Sequence, residues 1–363
     1  MSKVYVSGWW GENLGDDLLL KSLLEKFPDA CFITHSGFNG KKQFENYSNI
    51  RIINIDSWQI KLINKFLSFL KLPLFQNIVA ICSRNYLELG GSIFLEEGDW
   101  ERKFRNRYKL SKIMKKYIII GSNFGPSKNT TFINSYKKLF ENVDFVNFRD
   151  DISKAYFPDL TNISVYPDVV FQLDLDKYID IKVKKIVNIS VISVERMYRY
   201  QNQIPISYYE FLSNLCHEYI KKNYKIVLMA YSEVSGDYSA AKKVYTKLSE
   251  YDKNFVEIYV HKNIDKSLKL ISEAEILIPS RFHGMILGWL LNKKMYVLSY
   301  SKKTENTIRF VKKDFPYSEI HKLNKNHVEN IIDSVETLDL IHLNHLKELA
   351  SHHFDILSPL LKE

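Results

Sequence analysis

Short apolar runs of strand length recur along the chain. Most are followed at once by glycine, proline or serine and then by a segment of helical periodicity. Lys3–Ser7 (KVYVS), Tyr86–Gly91 (YLELGG), Tyr117–Gly121 (YIIIG), Val143–Asn147 (VDFVN), Ile186–Ile192 (IVNISVI), Lys225–Ala230 (KIVLMA), Phe255–Tyr259 (FVEIY), Glu275–Pro279 (EILIP) and Met295–Ser299 (MYVLS) are of this kind, with Ala30–Thr34 and Arg51–Ile55 as further strands. Near-continuous apolar content suits strands covered on both faces, and the intervening helices are the crossovers that parallel strands require. The pattern predicts an α/β protein with parallel sheets. Ile163–Leu173 (ISVYPDVVFQL) completes the first half, with Asp168 after a proline, and the polar segment DLDKYIDIKVKK follows it.

A chain of 363 residues exceeds a single core, so two domains are expected. The boundary is placed near residue 180, giving domains 1–180 and 181–325 and a helical tail 326–363 that carries His342, His345, His352 and His353. No carboxylate or cysteine partner for those histidines is identifiable, so a solvated helix is preferred to a metal site. A hydrophobic content of 45% and a charged content of 26% exclude a disordered or collagenous chain. The net charge of +9 favours an acidic partner: a phosphorylated small molecule, an anionic membrane surface or nucleic acid. Dispersed basic residues and the lack of a recognition motif argue against nucleic acid. Cys31, Cys82 and Cys216 have neither metal-ligand spacing nor the density of a disulfide framework, which points to a reducing cytoplasm. There is no segment of signal-peptide form and no run of 18 apolar residues.

Functional residues are expected where strands end, because ligands of open α/β sheets bind outside the carboxyl ends of strands. Ser280-Arg281-Phe282-His283 follows the strand Glu275–Pro279 and leads into a helix from Gly284 to Leu291, while Tyr300–Lys303 leaves the next strand. A helix start presents unpaired N–H groups and a positive dipole end, so Ser280, Arg281, His283, Gly284 and Lys303 together suit a ligand with phosphate or carboxylate groups. Taken singly, the same residues could be a solvated arginine, a capping histidine and a surface lysine. Gly8, Gly11 and Gly15 punctuate a loop before a helix from about Asp16 to Phe27, but the spacing is neither the dinucleotide fingerprint nor a Walker loop. Asn13 and Asp16 could bind sugar hydroxyls with Trp9 or Trp10 as a flat face; equally, Asp16 could be an N-cap and the tryptophans packing. Gly90 and Gly91 permit close approach of backbone to a ligand. The acidic loop Glu96, Glu97 and Asp99 follows them, and Arg149 occupies a comparable place after its strand, its ordinary alternative being a salt bridge to Asp150 or another surface acid. Between Trp58 and Phe75, apolar residues recur at three and four with Lys61, Lys65 and Lys71 elsewhere on the turn. Such a basic amphipathic helix could lie on a membrane or cover a sheet.

The ordered set GENLGDD, LELGGSIF, GSNFGP, FRDD, YPDVVF, SRFHGMILGW and SYSKK resembles the polysaccharide pyruvyltransferase family over about residues 4–310. The resemblance implies a GT-B-like fold, two Rossmann-like domains whose parallel sheets face a central cleft, with 1–180 on the acceptor side and 181–325 on the phosphoenolpyruvate side. It implies transfer of the enolpyruvyl unit of phosphoenolpyruvate to a sugar of a surface polysaccharide or its precursor, as a pyruvate ketal, with phosphoenolpyruvate as co-substrate and no further cofactor or metal. Arg149, His283 and Lys303 would be the catalytic residues, with Asn13, Gly15, Asp16, Gly90, Gly91, Asp168, Ser280, Arg281 and Gly284 in substrate binding. Lys302 competes with Lys303. The chain departs from the family pattern at Ser92, where a third glycine is common, and at Phe282, where leucine is usual. Such an enzyme would be cytoplasmic, at the inner face of the plasma membrane, its acceptor carried on a polyprenyl diphosphate and residues 58–75 touching the membrane. A nucleotide-sugar glycosyltransferase of the same fold, or a catalytically silent carbohydrate-binding assembly protein, are the competing functions.

Overall fold

A computed structural model describes residues 3–198, 204–324 and 326–362. The chain divides into two compact units, the first made of Met1–Gly11, Asp16–Leu173 and Leu346–Glu363 and the second of Glu12–Gly15 and Asp174–His345.

The first unit is built on seven strands: β1 (Lys3–Ser7), β2 (Cys31–Ser36), β3 (Ile50–Asn54), β4 (Asn85–Leu89), β5 (Lys116–Ser122), β6 (Phe145–Phe148) and β7 (Ile163–Val165). They form one parallel sheet in the order β3-β2-β1-β4-β5-β6-β7. Its crossovers carry α1 (Leu14–Lys26), α2 (Phe38–Gln43), α3 (Trp58–Phe69), α4 (Phe75–Ser83), α5 (Trp100–Ser111), α6 (Thr130–Phe140) and α7 (Asp151–Ala155). Local chemistry sets where several of these helices begin. Asp99, Asn129 and Asp150 each accept a backbone N–H of the first turn they cap. One face of the sheet carries an aromatic core in which Phe94, Phe124, Phe132, Tyr136, Phe140, Phe148 and Phe157 pack together. Beside it lies a buried polar group: Glu88 of β4 takes Arg107 in a two-point bond and the Tyr117 hydroxyl at 2.7 Å.

The second unit holds β8 (Lys184–Ser190), β9 (Lys225–Ala230), β10 (Val256–Val260), β11 (Ala274–Pro279) and β12 (Lys294–Met295) in a parallel sheet of order β10-β9-β8-β11-β12. The chain order reverses between β8 and β11, which makes their carboxyl ends the natural ligand crevice of this sheet. The helices Ser207–Lys221, Asp237–Thr246, Ile264–Glu273 and Phe282–Leu290 are its crossovers.

Several sequence expectations are revised. The segment 58–75 is not one helix: α3 ends at Phe69, Lys71 takes a left-handed φ of 55° and Pro73 follows, and α4 starts at Phe75. The run 295–299 is split between β12 and a separate pair in which β13 (Val297–Ser299) lies parallel to β14 (Tyr317–Glu319). Only Ile163–Val165 of the 163–173 segment is strand, because Asp168 caps a 3-10 turn over Val169–Gln172. The main segment of the first unit runs to Leu173, close to the boundary placed near 180, and the tail is not a separate element. Its last part returns to the first unit, where Phe354 packs edge-on against Phe27 and buried His353 bonds to the Pro167 carbonyl. His342 and His352 are the exposed, solvated residues expected, each paired with a nearby aspartate. Among the described residues, no three His, Cys, Asp or Glu side chains gather as a metal ion would need, and no helix is long and apolar enough to cross a membrane.

Candidate active site

In the second unit, the carboxyl ends of β8 and β11 are tied together by Ser190, whose hydroxyl accepts the N–H groups of Ser280 and Arg281, both at 2.9 Å. The Ser280 hydroxyl in turn bonds to buried Tyr208 at 2.8 Å. This fixes the turn that opens the Phe282–Leu290 helix. Gly284 suits the close packing there, because a Cβ would lie 3.0 Å from the Tyr231 hydroxyl and 3.1 Å from Pro279 Cβ. Arg281 is the residue preceding the helix, yet its guanidinium turns to Asp237, with Nε at 2.8 Å from Oδ2 and Nη2 bonded to Oδ1. Asp237 is fully buried and also accepts the Ser232 N–H at 3.0 Å. Burial is the largest influence on its carboxyl and moves the pKa up, against the pull of Arg281. Arg281 therefore braces the site from beneath with a buried ion pair.

His283 lies in the first turn of the same helix and packs directly against Gly15: a Cβ built on that glycine would fall 1.9 Å from Nδ1. Gly15 itself sits in the first turn of α1, whose start is two residues earlier than expected. The cap is Asn13, not Asp16, with Asn13 Oδ1 accepting the Gly15 N–H at 3.1 Å. Asp16 is half-buried in that turn and Asp17 is fully buried, accepting the Gly11 N–H at 2.6 Å. Lys303 completes the cluster. Its ammonium stands 4.3 Å from the centroid of the Phe282 ring, which meets the His283 ring edge-on at 5.4 Å. Lys302 points elsewhere, to Glu305 at 2.8 Å and Glu319 at 3.5 Å, and its pKa is raised chiefly by the bond to Glu305. Phe282, a departure from the family pattern, is thus the surface that carries the lysine beside the histidine.

In the first unit, Arg149 emerges from β6 into a buried polar nest. Its Nη1 lies 2.6 Å from Asp168 Oδ2 and its Nη2 2.9 Å from Asn123 Oδ1, while Ser92 Oγ, at 3.5 Å from Nη2, donates to Asn123 at 3.0 Å. The partner is Asp168, not Asp150, which caps α7 instead. Both side chains of the ion pair are almost wholly buried, so it is not the weak surface bridge of the alternative reading. Gly91 is required for the guanidinium: a Cβ would come within 2.8 Å of Nη2. A Cβ on Gly90 would lie 2.9 Å from Ile93 Cγ2. The close approach that these glycines allow is between parts of the protein. Trp10 is buried and donates to Thr34 Oγ1 at 2.8 Å, whereas Trp9 is exposed.

The second unit thus brings together Asn13, Gly15, Ser280, Arg281, His283, Gly284 and Lys303, and the first brings together Gly91, Arg149 and Asp168. Sequence reading missed Ser190, Tyr208, Tyr231 and Asp237 in one and Asn123 in the other, and named His353 only as a histidine of the tail. Asn123 alone had a signal, its place in the GSNFGP loop.

The sequence profile of polysaccharide pyruvyl transferases matches residues 13–302, which takes in Asn13 and every residue of both clusters except Lys303 and His353. The chain belongs to the polysaccharide pyruvyl transferase family. Family membership makes it a transferase of polysaccharide modification, with a polysaccharide acceptor and a donor substrate. Similarity to solved structures shows that this pyruvyl transferase relative has a GT-B-like fold of two Rossmann-like units. Anabaena Alr3699/HepE in complex with UDP and glucose superposes with a TM-score of 0.62 at 11% identity over 100% of both chains. The UDP-GlcNAc 2-epimerase of Methanocaldococcus jannaschii gives 0.60 at 12% identity over 99% of this chain and 100% of the other. The S. aureus MnaA–UDP structure gives 0.54 at 13% identity over 100% and 98%. At these identities the likeness is one of fold alone. A search among curated protein sequences finds no match.

Proposed function

We propose that the protein transfers the enolpyruvyl unit of phosphoenolpyruvate to a sugar of a surface polysaccharide or its lipid-linked precursor, forming a pyruvate ketal and releasing phosphate. The observation that carries this reading is the cluster in which His283 seats on Gly15 with Lys303 beside it on Phe282, within a chain of the pyruvyl transferase family. A donor with phosphate and carboxylate groups asks for cationic partners. In the second unit Lys303 is a compact charge beside His283; in the first, Arg149 is a planar fork oriented by Asp168 and Asn123.

The chemistry then follows from the residue types. His283 gives a proton to the methylene carbon of the donor, which makes C2 electrophilic; a sugar hydroxyl adds to C2 and loses its proton. A second hydroxyl displaces the phosphate at C2: the new C2–O bond forms as the bond from C2 to the phosphate ester oxygen breaks, the hydroxyl proton leaves with phosphate, and the ketal closes. Asp16, next to Gly15, is the carboxylate assigned to the first hydroxyl proton. In the acidic loop Glu96 is held by Ser127 and Asn129, which lower its pKa, and Asp99 caps α5. Phosphoenolpyruvate serves as co-substrate, with no further cofactor and no metal in this scheme, and a polyprenyl-diphosphate-linked glycan is the proposed acceptor.

The test is phosphate release from phosphoenolpyruvate with mass spectrometry of a panel of soluble and lipid-linked glycans, wild type against His283→Ala. Acceptor-dependent release with a pyruvyl mass gain, lost in the variant, is expected. The nucleotide-sugar alternative draws on structural relatives solved with UDP. A UDP-induced rise in melting temperature, with no response to phosphoenolpyruvate and no release across the panel, would replace the pyruvyl reading with that one.

A further inference from the structure

Helix α3 carries its largest apolar side chains on the outside. Trp58 is 71% exposed, Leu62 60%, Phe66 62% and Phe69 83%, and no residue of the helix is buried. At 3.6 residues per turn these four fall within about 80° of one another, and Leu70 and Ile63, also exposed, widen the same face. Attachment to the unit uses a different and narrower face. Ile60, Asn64 and Leu67 are half-buried there, and Asn64 holds the Phe75 N–H at 2.8 Å and Gln76 Oε1 at 3.1 Å. The broad apolar face is left for something outside the unit.

Charge selects what that is. From Ser57 to Leu87 the chain has Lys61, Lys65, Lys71 and Arg84 and no acidic residue. Lys61 and Lys65 border the apolar face next to Trp58, and the nearest acid, Asp56, stands 3.7 Å from Lys61 with both side chains exposed. A second copy of the chain pairing through this face about a two-fold axis would bring like lysine rows together. An anionic lipid surface neutralises them instead. We propose that α3 is an interfacial helix that seats the first unit on an anionic bilayer, with Trp58, Leu62, Phe66 and Phe69 entering the headgroup–acyl boundary and Lys61 and Lys65 at the level of the lipid phosphates.

Such docking has a functional consequence. Trp58 follows β3, Phe38 follows β2 and Trp9 follows β1, and these strands are neighbours, so three exposed aromatic residues stand along the carboxyl edge of one sheet. That edge is held at the lipid surface; that it meets a glycan on a lipid carrier there rests on the function proposed above, whereas the docking itself does not.

The test is sedimentation of the full chain with phosphatidylcholine vesicles, with and without phosphatidylglycerol. Wild type is expected to bind the anionic vesicles and to be released by salt. Phe66→Ser with Phe69→Ser should lower the partition coefficient at least about tenfold. Lys61→Gln with Lys65→Gln should lower it about tenfold and flatten the salt dependence. These positions are exposed, so melting temperatures should be preserved, and brominated lipid should quench a fluorescence component missing in Trp58→Phe. Wild type left in the supernatant with both vesicles, or binding unchanged by the Phe66 and Phe69 substitutions, overturns the proposal. So does a solution dimer that those substitutions turn into a monomer, which assigns the face to a second copy. Activity on a soluble acceptor is read separately, so failure of the docking and failure of the pyruvyl reading are distinguishable.

Discussion

Replacing His353 by glutamine should remove a large part of the acid sensitivity of the first unit. His353 is wholly buried, its Nε2 bonds to the Pro167 carbonyl, and its pKa is lowered to about 4, mainly by burial. In the unfolded chain an ordinary histidine titrates near 6.5. The folded-state value lies below the unfolded one for a base, so the unfolded state takes up the proton first. Stability is then complete above about pH 6.5 and falls as pH drops from there toward 4. Integrated from pH 7.5 to pH 5, this single group removes about 2 kcal/mol. Glutamine can still donate to Pro167 but does not titrate. The assay is urea unfolding at the two pH values followed by tryptophan fluorescence, which reports mainly this unit because four of the five tryptophans (Trp9, Trp10, Trp58 and Trp100) lie in it. Wild type should lose about 2 kcal/mol more than His353→Gln over that interval, while carboxylate contributions cancel in the difference. Equal pH dependence in the two proteins, or a His353 ring resonance that titrates near 6.5, refutes the argument.

Two other outcomes are expected. Gly15→Ala places a methyl group where His283 Nδ1 now lies, while alanine suits a helix better than glycine, so pyruvyl transfer should fall at least about tenfold without loss of melting temperature; undiminished kcat would show that this contact does not position the histidine. Asp237→Asn leaves Arg281 charged and buried without its counter-ion and should cost about 3–5 kcal/mol in the second unit, read by urea unfolding through the fluorescence of Trp289. A loss below about 1 kcal/mol would mean that Arg281 reaches water and does not brace the turn.

Much of the fold was legible because its signals are local. Runs such as YIIIG and KIVLMA identify buried parallel strands wherever they occur, whereas Asp99 and Asp150, read as an acidic-loop residue and a salt-bridge partner, cap helices in the structure. The Ser280–His283 turn was legible for the same reason, since strand end, turn and helix start are contiguous. Other elements misled because a local rule was outweighed by a neighbouring one. The periodicity of 58–75 runs smoothly through Lys71 and Pro73, where the backbone nonetheless breaks, and Asp16 has the right chemistry for a cap that Asn13 occupies three residues earlier.

By itself the sequence determined the parallel α/β class and the family motifs, because each is written in consecutive residues; Arg149, His283 and Lys303 came in as what the family resemblance implies. Only the tertiary structure decided which charges are partners. Arg149 meets Asp168 across 19 positions and Arg281 meets Asp237 across 44; His353 reaches Pro167 across 186. It also separated Lys303, lying on Phe282, from Lys302, bound to Glu305. Hydrogen bonds and ion pairs act over a few ångströms in space whatever the distance along the chain, so the folding of the sheets, and not the spacing of residues, selects them.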